Sequence, residues 1–150
     1  MKNTIIRPMT EADFKEVVAL ENMVQHAPWT VVSFKDCLKP PNYAFVLELE
    51  EHAIGFGVIS VTSQIEEAQI MNIAVAPEYQ KQGLGKKMLL FLIDLAKQHH
   101  IKNLFLEVRK SNKGAFDLYT RLGFNEIGIR KQYYRLKRGR EDAIIMGKTL

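Results

Sequence analysis

The segment Asn72-Ile73-Ala74-Val75-Ala76-Pro77-Glu78-Tyr79-Gln80-Lys81-Gln82-Gly83-Leu84-Gly85-Lys86-Lys87 carries the strongest chemical signal in the chain. An apolar strand ends at Pro77, a polar loop follows, and two glycines open a long helix. Glycine lets a ligand come close to the backbone, and the first helical turn presents N–H groups with no intrahelical partner and a partial positive charge. Together these make an anion cradle suited to phosphate, to which Lys81, Lys86 and Lys87 add charge. Two familiar phosphate loops do not fit. Met88 stands where a dinucleotide fingerprint has its third glycine, and Gly85-Lys86 lacks the preceding glycine and the following Ser or Thr of a P-loop. The plain alternative is that Gly83 and Gly85 only shape a loop and start a helix.

Glu107 is the second candidate, because it interrupts the apolar strand Leu104-Phe105-Leu106-Glu107-Val108. A carboxylate partly buried there has its pKa raised toward the range of a useful general base. Its alternative is a surface glutamate on an alternating strand.

These residues need positioning by alternating strands and helices. Thr4 to Arg7 reads as a short strand; Thr10 with Asp13 is a weakened capping box before a helix in which Phe14, Val17, Val18 and Glu21 recur at helical spacing. A short helix is expected from Thr30 and must stop before Pro40 and Pro41. YAFVLELE, a turn at Glu51 and His52, AIGFGVISVTS and EEAQIMNIAVAP read as an antiparallel meander. Gly83 to about Gln98 is amphipathic at the 3.6-residue period, LFLEVR is a buried strand, and Asn112 to Leu122 is a helix with Gly123 as its C-cap. FNEIGIRKQYY and DAIIMGKTL close the chain as strands. This strand-helix alternation predicts parallel pairing with crossover helices, joined to the meander in a mixed α/β sheet.

Composition bounds the class. The chain has 150 residues, 47% hydrophobic and 25% charged, which excludes collagen-like, low-complexity and disordered chains and suits one domain over 1–150. Cys37 has no partner, and His26, His52, His99 and His100 show no zinc-type spacing, so no metal is expected. The N-terminal MKNTIIRPMTEADF lacks a signal-like apolar run and no stretch approaches about 18 apolar residues, which predicts a cytoplasmic protein without a membrane partner. The net charge of +4 decides nothing alone, and the basic run Arg130, Lys131, Arg135, Lys137, Arg138 and Arg140 suits a solvated hairpin.

With these residues in view, the chain resembles the GNAT family of acyl-CoA-dependent N-acetyltransferases. Gln80-Lys81-Gln82-Gly83-Leu84-Gly85 matches the family's Q/R-x-x-G-x-G/A pyrophosphate loop. Within the family it is similar to the bacterial ribosomal-protein-alanine N-acetyltransferases. That similarity rests on Ala27-Pro28-Trp29, on Leu106-Glu107-Val108-Arg109 with Ser111-Asn112, on Leu118-Tyr119 before Leu122-Gly123-Phe124, and on Tyr133-Tyr134 followed by Arg140-Glu141-Asp142-Ala143-Ile144-Ile145-Met146.

The resemblance implies the GNAT fold: a mixed, mostly antiparallel sheet of about seven strands with a splayed parallel pair and flanking helices. It implies acetyl-CoA as co-substrate, with Ile73 and Val75 offering main-chain hydrogen bonds to pantetheine and Ala74 staying small beside the thioester. Lys81, Gln82, Gly83, Leu84, Gly85 and Lys86 would wrap the pyrophosphate, and Asn112, also a good N-cap, would touch the CoA arm. Glu107 becomes the base, directly or through water, and Tyr119 the acid that protonates the leaving thiolate, unless its ring is only core packing. Some relatives carry the base on the preceding strand, where this chain has Gln69, with Glu67 in reserve. An N–H near Asn72 or Ile73 is a candidate oxyanion donor. Tyr133 and Tyr134, with Glu141 and Asp142, would shape the acceptor groove, and Trp29 is a lid or core residue.

The implied reaction is acetylation of a protein N-terminus, that of a small-subunit ribosomal protein beginning with alanine, without direct nucleic-acid binding. A GNAT enzyme for a small amine, and a non-catalytic acyl-CoA or RNA binding module, are the open alternatives.

Overall fold

The computed structural model describes residues 3–25, 28–135 and 139–150. Its strands are β1 (Ile5–Pro8), β2 (Asn42–Leu49), β3 (His52–Thr62), β4 (Glu67–Val75), β5 (Asn103–Arg109), β6 (Asn125–Arg135) and β7 (Arg140–Thr149). The helices are α1 (Phe14–Val24), α2 (Val31–Asp36), α3 (Leu84–Gln98) and α4 (Lys113–Arg121). The strands form one seven-stranded sheet in the order β1-β2-β3-β4-β5-β7-β6. Within it, β4 and β5 are parallel and the other neighbours antiparallel, the mixed and mostly antiparallel sheet that the resemblance implied. Ala27 of the Ala27-Pro28-Trp29 block, His26, and Lys137 and Arg138 of the basic run lie outside the described residues.

The alternation of the second half reads differently in space. The crossover through α3 joins the parallel neighbours β4 and β5, but the crossover through α4 does not join neighbours, because β7 returns between β5 and β6. Inserting β7 gives it antiparallel ladders with both β5 and β6, a long-range choice that local periodicity does not encode.

Parallel pairing of β4 and β5 covers only Glu67↔Asn103, Ala68↔Leu104 and Gln69↔Phe105. Beyond Gln69, β4 stays on β3 up to Val75↔Gly55, while β5 stays on β7 up to Arg109↔Ala143. The divergence begins where the β3 register jumps from Val58↔Asn72 to Ile59↔Ile70, leaving Met71 as an extra residue. A bulge bends its strand and increases its twist, which turns the end of β4 away from β5 and opens a wedge.

Both sheet faces are covered. Met88, Leu89, Leu92, Ile93 and Ala96 of α3 join one buried cluster with Leu104, Leu106 and Met146. Phe14, Val17 and Leu20 of α1 and Phe34 of α2 join a second with Phe56 and Val58. Each of the larger side chains among them contributes about 1.5–3 kcal/mol by leaving water. A Cβ at Gly57 would lie 2.8 Å from Met88 Sδ, so α3 rests directly on the β3 backbone and its first turn is fixed beside β4.

The start of the chain follows its expected chemistry. Asp13 accepts the Thr10 N–H at 2.8 Å and takes both Arg7 Nη1 and Nη2, at 2.9 and 2.7 Å, which holds its carboxyl below the usual carboxylate range. Thr30 caps α2 by accepting the Ser33 N–H at 3.4 Å. The β2–β3 turn falls one residue earlier than expected: Glu50 and Glu51 take φ of 49° and 67°, and β3 begins at His52. Gly123 follows α4 with φ of 96°, the expected left-handed C-cap.

Candidate active site

The cradle is built as its residue types dictate. Gly83 is the N-cap of α3 with φ of 82°, a left-handed conformation that favours glycine. The first α3 bond runs from the Lys87 N–H to the Gly83 carbonyl at 3.0 Å, so the N–H groups of Leu84, Gly85 and Lys86 precede the ladder, and no side chain caps Gly83. Cβ atoms added at Gly83 would meet nothing within 4 Å, and at Gly85 only Val75 Cγ2 at 4.0 Å. The space above the helix end is therefore open, as an incoming diphosphate requires.

Peptide groups alternate in direction along a strand. The Ala76 N–H donates to Ile54 O of β3 at 2.8 Å, so Ile73 and Val75 direct theirs into the wedge. Gln80 Nε2 already donates to the Val75 carbonyl at 2.9 Å. Ile73 thus offers both its groups, whereas Val75 offers its N–H.

Two cavities occupy the wedge. The larger, about 850 Å³, runs from Ile73, Ala74 and Val75 past Lys81, Gly83, Gly85 and Lys86 to α4. The smaller, about 160 Å³, lies between β4 and β5 beneath the α1–α2 connection and is bordered by Glu107, Tyr119 and Tyr134. Gln25, Ile73, Arg109, Asn112 and Tyr119 line both, so the two spaces meet at Tyr119 and Ile73. A long phosphate-bearing ligand and a second, smaller reactant would adjoin there.

Of the sequence candidates, Ile73, Asn112 and Tyr119 line both cavities, Glu107 lines the smaller, and Ala74, Val75, Lys81, Gly83, Gly85 and Lys86 line the larger. Asn112 is the α4 N-cap, its Oδ1 accepting the Ala115 N–H at 3.2 Å, which leaves the amide NH₂ as its donor toward the cavities. Gln82 and Leu84 line neither cavity; Leu84 packs against the core and brings only its backbone. Lys87 turns away from the cradle, its Nζ donating to the Thr4 carbonyl at 2.8 Å and to Thr4 Oγ1 at 2.6 Å. Gln69 and Glu67 sit at the closed, paired end of the wedge and border neither cavity, so neither stands at the junction.

Glu107 borders the smaller cavity with a side chain 15% exposed, and its Oε1 accepts from Arg130 Nη1 at 2.9 Å. Tyr119 is 8% exposed, and burial, with a smaller push from Tyr134, raises its phenol to about 12. Tyr134 is likewise raised to about 12 by burial and by Glu107, partly offset by Arg109 and Arg130. Both phenols therefore keep their protons throughout the neutral range.

In the closing hairpin, Glu141 accepts Ser111 Oγ at 3.0 Å and the Ser111 N–H at 3.3 Å and faces Arg109 at 3.8 Å, while Asp142 Oδ1 accepts the Gln132 N–H at 2.9 Å. These carboxylates fix the β5–α4 loop and the β6 bulge, and Tyr134 borders the smaller cavity. Trp29 is both wall and core: it borders the smaller cavity and its ring lies 5.4 Å from that of Phe34.

Two residues at the site are not singled out by the sequence. Arg130 reads as part of a solvated basic run, yet its guanidinium joins Glu107. Glu21 reads as a helical repeat position, yet it is 1% exposed and borders the smaller cavity. Its Oε2 accepts the Trp29 N–H and Asn72 Nδ2, each at 3.0 Å, and burial raises its carboxyl. The available signal was a carboxylate on the apolar face of an amphipathic helix. Among the described residues, no group of His, Cys, Asp and Glu is arranged to hold a metal ion, and no helix is long and apolar enough to cross a membrane.

The Acetyltransferase (GNAT) family profile matches residues 6–124. The chain is 38% identical over 141 residues, 94% of each chain, to the [ribosomal protein bS18]-alanine N-acetyltransferase of Escherichia coli K12. It is 35% identical over 144 residues to that of Haemophilus influenzae, covering 95% of this chain and 97% of the other. The crystal structure of the ribosomal-protein-S18-alanine N-acetyltransferase from Escherichia coli superposes with a TM-score of 0.90 at 37% identity, over 98% of this chain and 94% of that one.

Proposed function

This chain belongs to the GNAT family and is an acetyl-CoA-dependent N-acetyltransferase, and from that premise we propose that it acetylates the N-terminal α-amine of a ribosomal protein, in the first place the alanine terminus of bS18. The observation that carries the acceptor is likeness over almost the whole length, 94% of both chains, including the segments around the smaller cavity and not only the cradle. The narrowness of that cavity, about 160 Å³, supports an acceptor presented end-on with a short first side chain. The proposal sets the protein in the cytoplasm, where ribosomal proteins are made.

Acetyl-CoA, when bound, supplies the thioester carbonyl that the amine attacks. Ile73 and the Val75 N–H would hold the pantetheine arm as an added strand does, and the uncapped α3 N-terminus with Lys81 and Lys86 would hold the diphosphate. Gln82 and Leu84 contribute main chain to that cradle. Glu107 takes the proton of the acceptor ammonium, directly or through a water, which frees the nitrogen lone pair. As the nitrogen–carbon bond forms and the carbon–sulfur bond breaks, Tyr119 gives its phenolic proton to the leaving sulfur. The new amide nitrogen gives up its second proton to solvent, and the proton collected by Glu107 restores Tyr119 through solvent, so one proton is released per turnover. An α-amine titrates near 7.7–8.0 and a lysine near 10.4, a gap of about 3.4 kcal/mol, so an N-terminal acceptor needs only a modest base.

A peptide panel tests the reading. Peptides beginning with alanine should gain one acetyl group at the α-amine, and the same peptides with a blocked terminus should gain none. Faster turnover of polyamines or of lysine side chains would overturn the acceptor assignment.

A further inference from the structure

Two carboxylates border the smaller cavity, and they are compensated in opposite ways. Glu107 has a guanidinium on it, Arg130 at 2.9 Å. Glu21 has no cation beside it among the described residues. Its Oε2 is shared by the Trp29 N–H and the Asn72 amide, while its Oε1, fully buried, has no hydrogen-bond partner among the described residues. Among the described residues, the other charged or titratable groups lining this space are Arg109, engaged with Glu141 at 3.8 Å, and the phenols of Tyr119 and Tyr134. A desolvated carboxylate oxygen without a donor is costly, and such a group persists where something else supplies the missing partner.

We infer that Glu21 Oε1 is the docking point for the positively charged amino terminus of the acceptor, which it holds beside the junction before Glu107 removes the proton. This rests on the α-amine reading of the preceding subsection. A cationic N–H donor fills the empty acceptor and at the same time offsets the carboxylate charge that burial leaves uncompensated. Oε2 is held by the Trp29 backbone N–H and by Asn72 of β4, which leaves Oε1 as the unengaged acceptor of the carboxylate. Glu21 therefore selects for a free, charged terminus, separately from the proton transfer assigned to Glu107.

The test compares a peptide beginning with alanine and its desamino counterpart, in which hydrogen replaces the ammonium, for binding to the CoA-loaded protein. At neutral pH the wild type should bind the amine peptide about tenfold or more tightly, as expected for a charge-assisted bond. In E21Q, checked for folding by thermal melting, the preference should fall below about twofold. An undiminished preference in E21Q overturns the inference. Should E21Q not fold, wild type and E107Q carry the test. The preference should collapse in both as pH rises through the amine's ordinary range of about 7.7–8.0, and a preference flat with pH overturns the inference. If the wild type acetylates the peptide yet shows no preference, Glu21 alone loses its role. If it fails to acetylate any peptide terminus, the acceptor reading falls and this inference with it.

Discussion

Arg130 Nη1 lies 2.9 Å from Glu107 Oε1, and the same guanidinium sits 3.8 Å over the ring of Tyr133. The register of β6 on β7 slips between Arg130 and Tyr134, with Gln132 at φ of 53°, and this irregularity gathers Arg130, Tyr133 and Tyr134 around one carboxylate. A pair this open to solvent contributes little to stability, and under the proposed mechanism it would serve to orient Glu107. Arg130→Gln should lower kcat/KM about tenfold by letting the carboxylate wander, as misplacement of a catalytic group does, while the thermal midpoint barely moves. Steady-state kinetics and melting curves on the same sample check the split.

Glu107→Gln and Tyr119→Phe address the proton transfers themselves. Each should lower kcat/KM by about 10²–10⁴-fold with the fold intact, the range for true general catalysts. Near wild-type activity in both variants would remove the acid–base assignment.

The cradle makes a graded prediction. At Gly85, whose Cβ would enter open space beside Val75 Cγ2 at 4.0 Å, valine should leave the fold intact and abolish measurable acetyl-CoA binding. Gly83→Val should also block binding, with added destabilisation of about 1–2 kcal/mol because φ of 82° is unfavourable for a side chain. Lys81→Ala, which removes only a solvated charge, should weaken binding about three- to tenfold. Isothermal titration with acetyl-CoA separates the three, and normal affinity in Gly83→Val would contradict the cradle.

Tyr119 and Tyr134 should titrate late. The chain has five tyrosines, and these two are held to about 12 against an ordinary value of 10.0. Since their folded values are raised, the associated stability is fully present below 10.0 and is lost as pH climbs through about 12, where the unfolded chain ionises first. Ultraviolet titration should show a late phase of two phenolates, reduced by one in Tyr119→Phe and by one in Tyr134→Phe.

What the sequence disclosed was local. The α3 period, the glycines at its start and the left-handed Gly123 are readable within one or two turns of chain, and the resemblance of the loop to its family added the splayed strands. Glu107 was visible because one charge breaks an apolar strand. Glu21 was not, because its role depends on Asn72, 51 residues away, and on a cavity that exists only once α1 lies over β4. Arg130 was hidden for the same reason: only the insertion of β7 between β5 and β6 brings it to Glu107, 23 residues back. Lys87 shows the converse, a charge that spacing assigned to the cradle and that β1's neighbour Thr4 claimed instead.

The most direct measurement is intact-mass analysis of small-subunit ribosomal proteins from cells of the source organism with and without this gene. Loss of one acetyl group from bS18 alone, restored by the wild-type protein and not by Glu107→Gln, is the result expected. Unchanged acetylation of bS18 in the deletion strain would contradict the account.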